Sequence, residues 1–307
     1  MRIITYILVM MVFMVVNYQA IAQQDPQLTQ YMYNTVSFNP AYAGSNNGLD
    51  INLLHRSQWV GLDGAPKTQA FSINTPIGGG NTALGLSAIN DAIGPAEELY
   101  VTADFSHTLL LNNDVKLAFG LKGGIQSLRV DYTKLNTYDP TDVQLQQNVS
   151  QTAPQVGAGT FLYTDKWYLG ASVPNLLKTD YYDEFTISTA AKRLHVFVIG
   201  GYVFQLNHNL KFKPATLIKV VSGAPIGFDV SANFLFNEKF TLGMSYRLDS
   251  SVSALAGFQI SKSIMLGYTY DFDTTELARY NSGSHEFFMR FQILNNVVSG
   301  KVSPRFF

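Results

Sequence analysis

The sequence contains no cysteine, and only 14% of its 307 residues are charged. The missing thiols exclude disulfide scaffolding, thiolate metal sites and cysteine nucleophiles, and they leave the redox compartment open. Globular domains carry about a quarter charged residues, so the shortfall calls for a surface that excludes charge. A net charge of -1 and the lack of any long basic cluster exclude nucleic acid as a partner. Long apolar runs are scarce too. Ile3 to Val16 is the one extended run, and it is too short for a comfortable spanning helix. A helical membrane protein is thereby excluded.

That run follows Arg2 and precedes Ala20-Ile21-Ala22, a small-x-small cleavage pattern. Residues 1–22 therefore read as a signal peptide, and the mature chain is expected to begin at Gln23. The mature chain carries a different membrane signal. Ile226, Phe228, Val230, Ala232, Phe234 and Phe236 alternate with Gly227, Asp229, Ser231, Asn233, Leu235 and Asn237. The same comb returns in Phe240 to Leu248, Ile264 to Phe272 and Phe287 to Ile293. Period-two alternation marks strands with one apolar and one polar face. Each comb runs about ten residues, the length a tilted strand needs to cross a bilayer. The expected fold is an all-β outer-membrane barrel with its apolar side facing lipid.

About fourteen antiparallel strands are expected, near 49–56, 67–75, 82–90, 97–108, 114–127, 154–164, 167–174, 193–206, 210–221, 225–236, 239–249, 252–261, 263–272 and 284–294. Links after even strands are short and polar, and links after odd strands are usually longer, with the longest near 128–153 and 175–192. That asymmetry is how bacterial outer-membrane barrels separate periplasmic turns from outer loops. Residues 48–295 form the expected barrel, residues 296–307 a periplasmic tail, and residues 23–47 a segment at the periplasmic mouth or inside the barrel as a partial plug. Asp25 and Pro26 suit the start of a short helix there, and Phe38 to Gly44 reads as a turn.

Charge on the lipid face is costly, so the strand charges are assigned to the lumen. These are Arg56, Lys116, Lys122, Lys211, Lys213, Lys219, Arg247 and Arg290, faced by Asp50, Asp104, Asp229, Asp271 and Glu286. Such a mixture predicts cross-lumen salt bridges and a filled interior rather than an open selective pore.

Catalytic signals are weak. Of the five histidines, His55 and His107 fall on the outward face by parity and His208 lies in a turn, which leaves His195 and His285 to point inward. Neither sits in a nucleophile motif, and no two histidines have metal-ligand spacing. Gly78-Gly79-Gly80 lacks the Lys-Ser/Thr of a phosphate loop and reads as a turn. No cofactor or metal is expected. Tyr163, Trp167 and Tyr168, like Tyr268, Tyr270 and Phe272, suit interfacial aromatic girdles.

Several blocks carry a resemblance. Gln27-Leu28-Thr29-Gln30-Tyr31-Met32 is followed by Phe38-Asn39-Pro40-Ala41-Tyr42-Ala43-Gly44, then by His55-Arg56-Ser57-Gln58-Trp59-Val60-Gly61-Leu62 and Gly64-Ala65-Pro66-Lys67-Thr68-Gln69. Ser284-His285-Glu286 and Ser303-Pro304-Arg305-Phe306-Phe307 complete the set. With these the chain resembles the PorP/SprF outer-membrane proteins of the type IX secretion and gliding machinery of Bacteroidetes. The resemblance implies a non-enzymatic barrel that assists export of large secreted adhesins or anchors proteins with type B C-terminal domains. Periplasmic ring proteins of the machine are further implied partners. His55, Arg56, Gln58, Trp59, Gly61 and Leu62 span the end of the first strand and the first outer loop, and form the candidate partner-binding block. A transport channel for small or hydrophobic solutes is the alternative, and a barrel hydrolase a weaker third reading.

Overall fold

A computed structural model describes residues 28–46, 48–134, 148–177, 179–180, 191–192 and 194–294. The expected signal peptide and C-terminal tail lie outside the described residues. Fourteen antiparallel strands form the wall: β1 Gly48–Ser57, β2 Lys67–Ile77, β3 Thr82–Ile93, β4 Ala96–Leu110, β5 Lys116–Val130, β6 Val149–Tyr163, β7 Trp167–Val173, β8 His195–Tyr202 continued by Phe204–Asn207, β9 Leu210–Val221, β10 Gly227–Phe236, β11 Phe240–Arg247, β12 Ser251–Gln259, β13 Ile264–Asp273 and β14 Ser284–Leu294. A small hairpin of Thr179–Asp180 with Ala191–Lys192 lies between β7 and β8.

Each strand pairs with its sequence neighbours, and β14 closes on β1 in a register running from Gly48↔Leu294 to Ser57↔His285. Closure leaves no sheet edge, so the backbone N–H and C=O groups are satisfied within the wall even where lipid surrounds it. β8 breaks at buried Val203, whose N–H turns to the carbonyl of Lys166 at 2.8 Å.

The burial pattern is that of a protein turned inside out. Outward teeth of the combs are exposed, with Leu121 at 62% and Met244 at 64%, while Asn52, Ser72, Lys122, Asp229, Thr241 and Glu286 are buried. The faces assigned from alternation are therefore the faces found. Among the described residues no helix is long and apolar enough to cross a membrane.

The turns at one end are short, as at residues 111–115, 164–166 and 208–209. The opposite end carries the longer loops 58–66 and 274–283. Two outer links break the expected trend. Gly94 and Asp249 adopt φ of +55° and +52°, which lets β3–β4 and β11–β12 reverse in tight turns. β6 begins at Val149, earlier than the expected 154, so β4, β5 and β6 are each fifteen residues long. At about 3.3 Å per residue such strands reach about 50 Å and rise well past the hydrocarbon band. Leu128 and Val130 pack with Ala96, Tyr132 and Val149 to stiffen this taller wall.

Candidate functional site: a filled lumen and a strapped outer loop

The interior of the barrel is occupied by its own chain. Residues 28–46 run through the lumen as turns and two short 3-10 helices, Thr35–Ser37 and Pro40–Tyr42. No regular helix forms over the described part of the stretch expected to start at Asp25, because Asn34, Asn39 and Pro40 favour turns and caps. Tyr31, Tyr33, Val36, Ala41 and Tyr42 are all buried.

The upper contact lies near the outer end of β1. Arg56 Nη1 meets Asp271 Oδ2 at 2.6 Å and Glu286 Oε2 at 3.0 Å. One guanidinium thus faces two carboxyl groups, and the lumenal segment supplies further donors. The backbone N–H groups of Thr29 and Gln30 donate to Glu286 at 3.0 and 2.8 Å, and the Thr29 hydroxyl donates to Asp271 at 2.7 Å. Arg56 also donates to that hydroxyl at 3.0 Å. Buried charges are costly unless paired and hydrogen-bonded, so this cluster and the segment need each other.

The lower contacts lie toward the start of β1. Asn46 Nδ2 donates to Asp50 at 2.7 Å, the Gly44 N–H donates to Asn74 at 3.0 Å, and Arg290 binds Asp50 at 2.6 Å. From Thr29 to Asn46 the segment therefore descends the lumen. Between these ends Tyr33 stacks on Phe288 at 4.4 Å, Tyr42 meets Phe161 edge-on at 5.4 Å, and Ser72 donates to Asn34 at 2.8 Å.

The Asn39-Pro40-Ala41 turn fits against a glycine-lined wall. A Cβ added at Gly120 would lie 2.2 Å from the Ala41 nitrogen, and one at Gly159 would lie 2.3 Å from Asn39 Oδ1. Asn39 caps the turn by accepting from the Ala41 N–H at 3.0 Å and donates to the Thr160 carbonyl at 3.1 Å. Glycine serves here for close backbone approach.

The charges assigned to the lumen do point inward, but they pair along the wall more than across it. Lys122 binds Asp104 at 2.7 Å and Arg247 binds Asp229 at 3.0 Å, each pair being register partners on adjacent strands. Lys213 sits 5.8 Å above the Tyr33 ring, and Lys116 lies 5.9 Å from Tyr163. Lys219 is buried on the same face, whereas Lys211 reaches Glu238 in a short turn at 2.7 Å. The expectation of cross-lumen bridges is corrected on this point, because the centre of the lumen is filled by the segment.

Aromatic assignments also shift. Tyr163 and Tyr168 face inward and pack around Phe161, so they are not girdle residues. His285 faces outward, not inward: its Nδ1 lies 2.7 Å from the Tyr268 hydroxyl on the lipid-side row with Tyr270. His195 is buried in the lumen beside Phe197. Among the described residues no group of three or more His, Asp or Glu side chains is placed to hold a metal.

The six-residue candidate block does not form one surface. His55 is exposed on the lipid-facing side and contacts Ser57 at 3.2 Å, while Arg56 is buried in the ion cluster. Gln58, Trp59, Gly61 and Leu62 lie in the outer loop, with Trp59 at φ +45°. This loop is strapped down. The Trp59 N–H donates to Ser284 Oγ at 3.2 Å, Val60 exchanges backbone bonds of 2.9 and 2.7 Å with Gly283 and Ser282, and the Gly94 N–H donates to the Gly64 carbonyl at 2.9 Å. First and last outer loops thus form one platform, which the alternation of strand residues had no means to reveal.

Fold and interior together define an outer-membrane β-barrel filled by its own N-terminal segment. The chain belongs to the type IX secretion system membrane proteins PorP/SprF, whose family profile matches residues 20–291. It is accordingly an outer-membrane component of that system. Among solved structures it is similar to the Ralstonia pickettii toluene transporter TbuX, with 12% identity over 85% of this chain and 92% of that chain and a TM-score of 0.51. It is likewise similar to the CymD monoaromatic hydrocarbon channel, with 12% identity over 87% of this chain and 94% of that chain and a TM-score of 0.51. At such identity the likeness is one of fold. No curated protein sequence matches.

Proposed function

We propose that this barrel is a non-enzymatic docking platform of the type IX machinery, holding a secreted surface protein by its type B C-terminal domain at the outer loops. The observation that carries the reading is the pairing of a filled lumen with a strapped, exposed outer platform. Val60, Leu277 and Tyr280 stand 38%, 40% and 69% exposed on the two joined loops. Apolar side chains held in a rigid loop outside the lipid band suit a protein partner, since little ordering entropy opposes their burial. Of the candidate block, Gln58, Trp59, Gly61 and Leu62 remain in this proposed surface. His55 faces lipid and Arg56 supports the platform from inside. Periplasmic ring proteins are a second class of partner, reached from the short-turn end.

A solute channel is the competing reading, favoured by the names of the two similar barrels. Passage through this lumen requires the segment 28–46 to leave, and its clamp at Arg56, Asp271 and Glu286 opposes that. The test is a mild-detergent pull-down of tagged protein from native outer membrane with mass spectrometry. Recovery of a large secreted protein through its C-terminal domain supports anchoring. Recovery of ring proteins alone moves the role to the machine, and a solitary barrel under gentle extraction contradicts the anchoring reading.

A further inference from the structure

The strap between the first and last outer loops runs straight into the clamp on the lumenal segment. Val60, Ser282 and Gly283 extend the β1–β14 ladder past its last two pairs, Arg56↔Glu286 and Ser57↔His285. Neighbouring residues of β14 serve the two structures. Ser284 Oγ accepts from the Trp59 N–H at 3.2 Å on the strap, and Glu286 accepts from the N–H groups of Thr29 and Gln30 on the segment. Asp271 of the clamp is tied in as well. It is the register partner of Ser284, and a Cβ added at Gly283, which has φ +81°, would lie 2.7 Å from its carbonyl oxygen. Beside it the Tyr270 hydroxyl donates to the Ser282 carbonyl at 3.2 Å. The two ends of the segment are held differently. Asn46 stands two residues before β1, so the chain itself tethers that end. Thr29 and Gln30 are held through Glu286 and Asp271.

A ladder opens from its end inward, since its interior residues are fixed by neighbours on both sides. Arg56 and Glu286 therefore part only after the strap bonds beyond them have opened. Buried carboxylates that lose their donors are costly, so clamp and segment leave their places together. We propose that the strap is the latch of the plug. While loops 58–66 and 274–283 are joined, the Thr29 end stays seated; parting the loops frees that end and opens the lumen from outside. The coupling runs both ways, so loss of the segment loosens the strap. A protein bound across both loops holds the latch shut, and one that wedges between them opens it. That regulation builds on the docking reading, whereas the latch itself stands without it.

The test is hydrogen–deuterium exchange of the full chain in lipid nanodiscs with no partner added, so that it reads the latch and not the docking role. Peptides over residues 28–34 report the plug and those over 116–130 the wall. Val60→Pro with Ser284→Ala removes the Val60 N–H and the acceptor of Trp59 while keeping Arg56, Asp271 and Glu286. Exchange over 28–34 should rise at least about tenfold in this variant, with 116–130 unchanged. The chain has no cysteine, so Val60→Cys with Ser282→Cys places a single disulfide across positions joined by a backbone bond of 2.7 Å. Exchange over 28–34 should be at least about threefold slower in its oxidised form than in its reduced form. Either comparison decides alone if the other protein does not fold or does not oxidise. Plug exchange that is equal in the oxidised and reduced forms, or no faster once the strap is broken, overturns the proposal.

Discussion

Arg56 and Glu286 are register partners on β1 and β14, 230 positions apart, and their side chains meet at 3.0 Å in the buried upper lumen. The same pair closes the barrel and clamps the segment that fills it, since Glu286 also receives the N–H groups of Thr29 and Gln30. Arg56→Ala leaves two buried carboxyl groups facing one another and should cost about 3–5 kcal/mol of barrel stability. Glu286→Gln, which keeps an acceptor for the segment, should cost less than Glu286→Ala. Urea unfolding in micelles, followed by tryptophan fluorescence, measures both.

Gly120 tests the fit of the Asn39-Pro40-Ala41 turn. Alanine there places a methyl 2.2 Å from the Ala41 nitrogen, so backbone must shift, and a loss of about 1–3 kcal/mol is expected. Gly123 on the same strand has nothing within 4 Å of its added Cβ, so Gly123→Ala should stay within about 0.5 kcal/mol of the parent. Limited proteolysis should report earlier cleavage near residues 38–42 in the first variant alone.

The lipid face makes a depth-dependent prediction. Leu121 is 62% exposed within β5, whereas Leu111 is 55% exposed at the start of a short turn. Leu121→Lys should destabilise by about 2–4 kcal/mol and Leu111→Lys by about 0–1 kcal/mol, despite similar exposure in the two parents. Equal losses by refolding titration in phosphatidylcholine would contradict the placement of the lipid band.

The outer platform predicts a separation of binding from stability. Tyr280→Ala with Leu277→Ser removes apolar contact area from an exposed loop and should leave unfolding within about 0.5 kcal/mol of wild type. Capture of the secreted partner in the pull-down should fall at least about tenfold, the effect of losing roughly 1.4 kcal/mol of binding. Unchanged capture places the partner elsewhere on the barrel.

Much of the wall was legible because alternation is enforced twice, by lipid outside and by polar packing within. Phe228, Val230 and Phe234 against Asp229, Ser231 and Asn233 leave no other assignment. The errors arose where residue character was weighed above parity. His285 shares its face with Phe287 and Met289, and its polarity is met by the Tyr268 hydroxyl. Tyr163 and Tyr168 share faces with Phe161 and Gly170, under the aromatic Tyr42 of the segment. The path of residues 28–46 carries no period at all, since its turns are set by contacts with the surrounding strands, some of them more than a hundred positions away, as at Thr160 and Glu286. Long-range docking of an irregular segment writes no local pattern.

The measurement that bears most directly on a sealed platform is conductance in planar lipid bilayers, comparing wild type with a variant lacking residues 29–46. The account predicts a silent wild type and an ion-conducting deletion, with Arg56→Ala opening intermittently between them. Steady conductance through the wild-type barrel, indifferent to the deletion, would contradict it and make the lumen a channel.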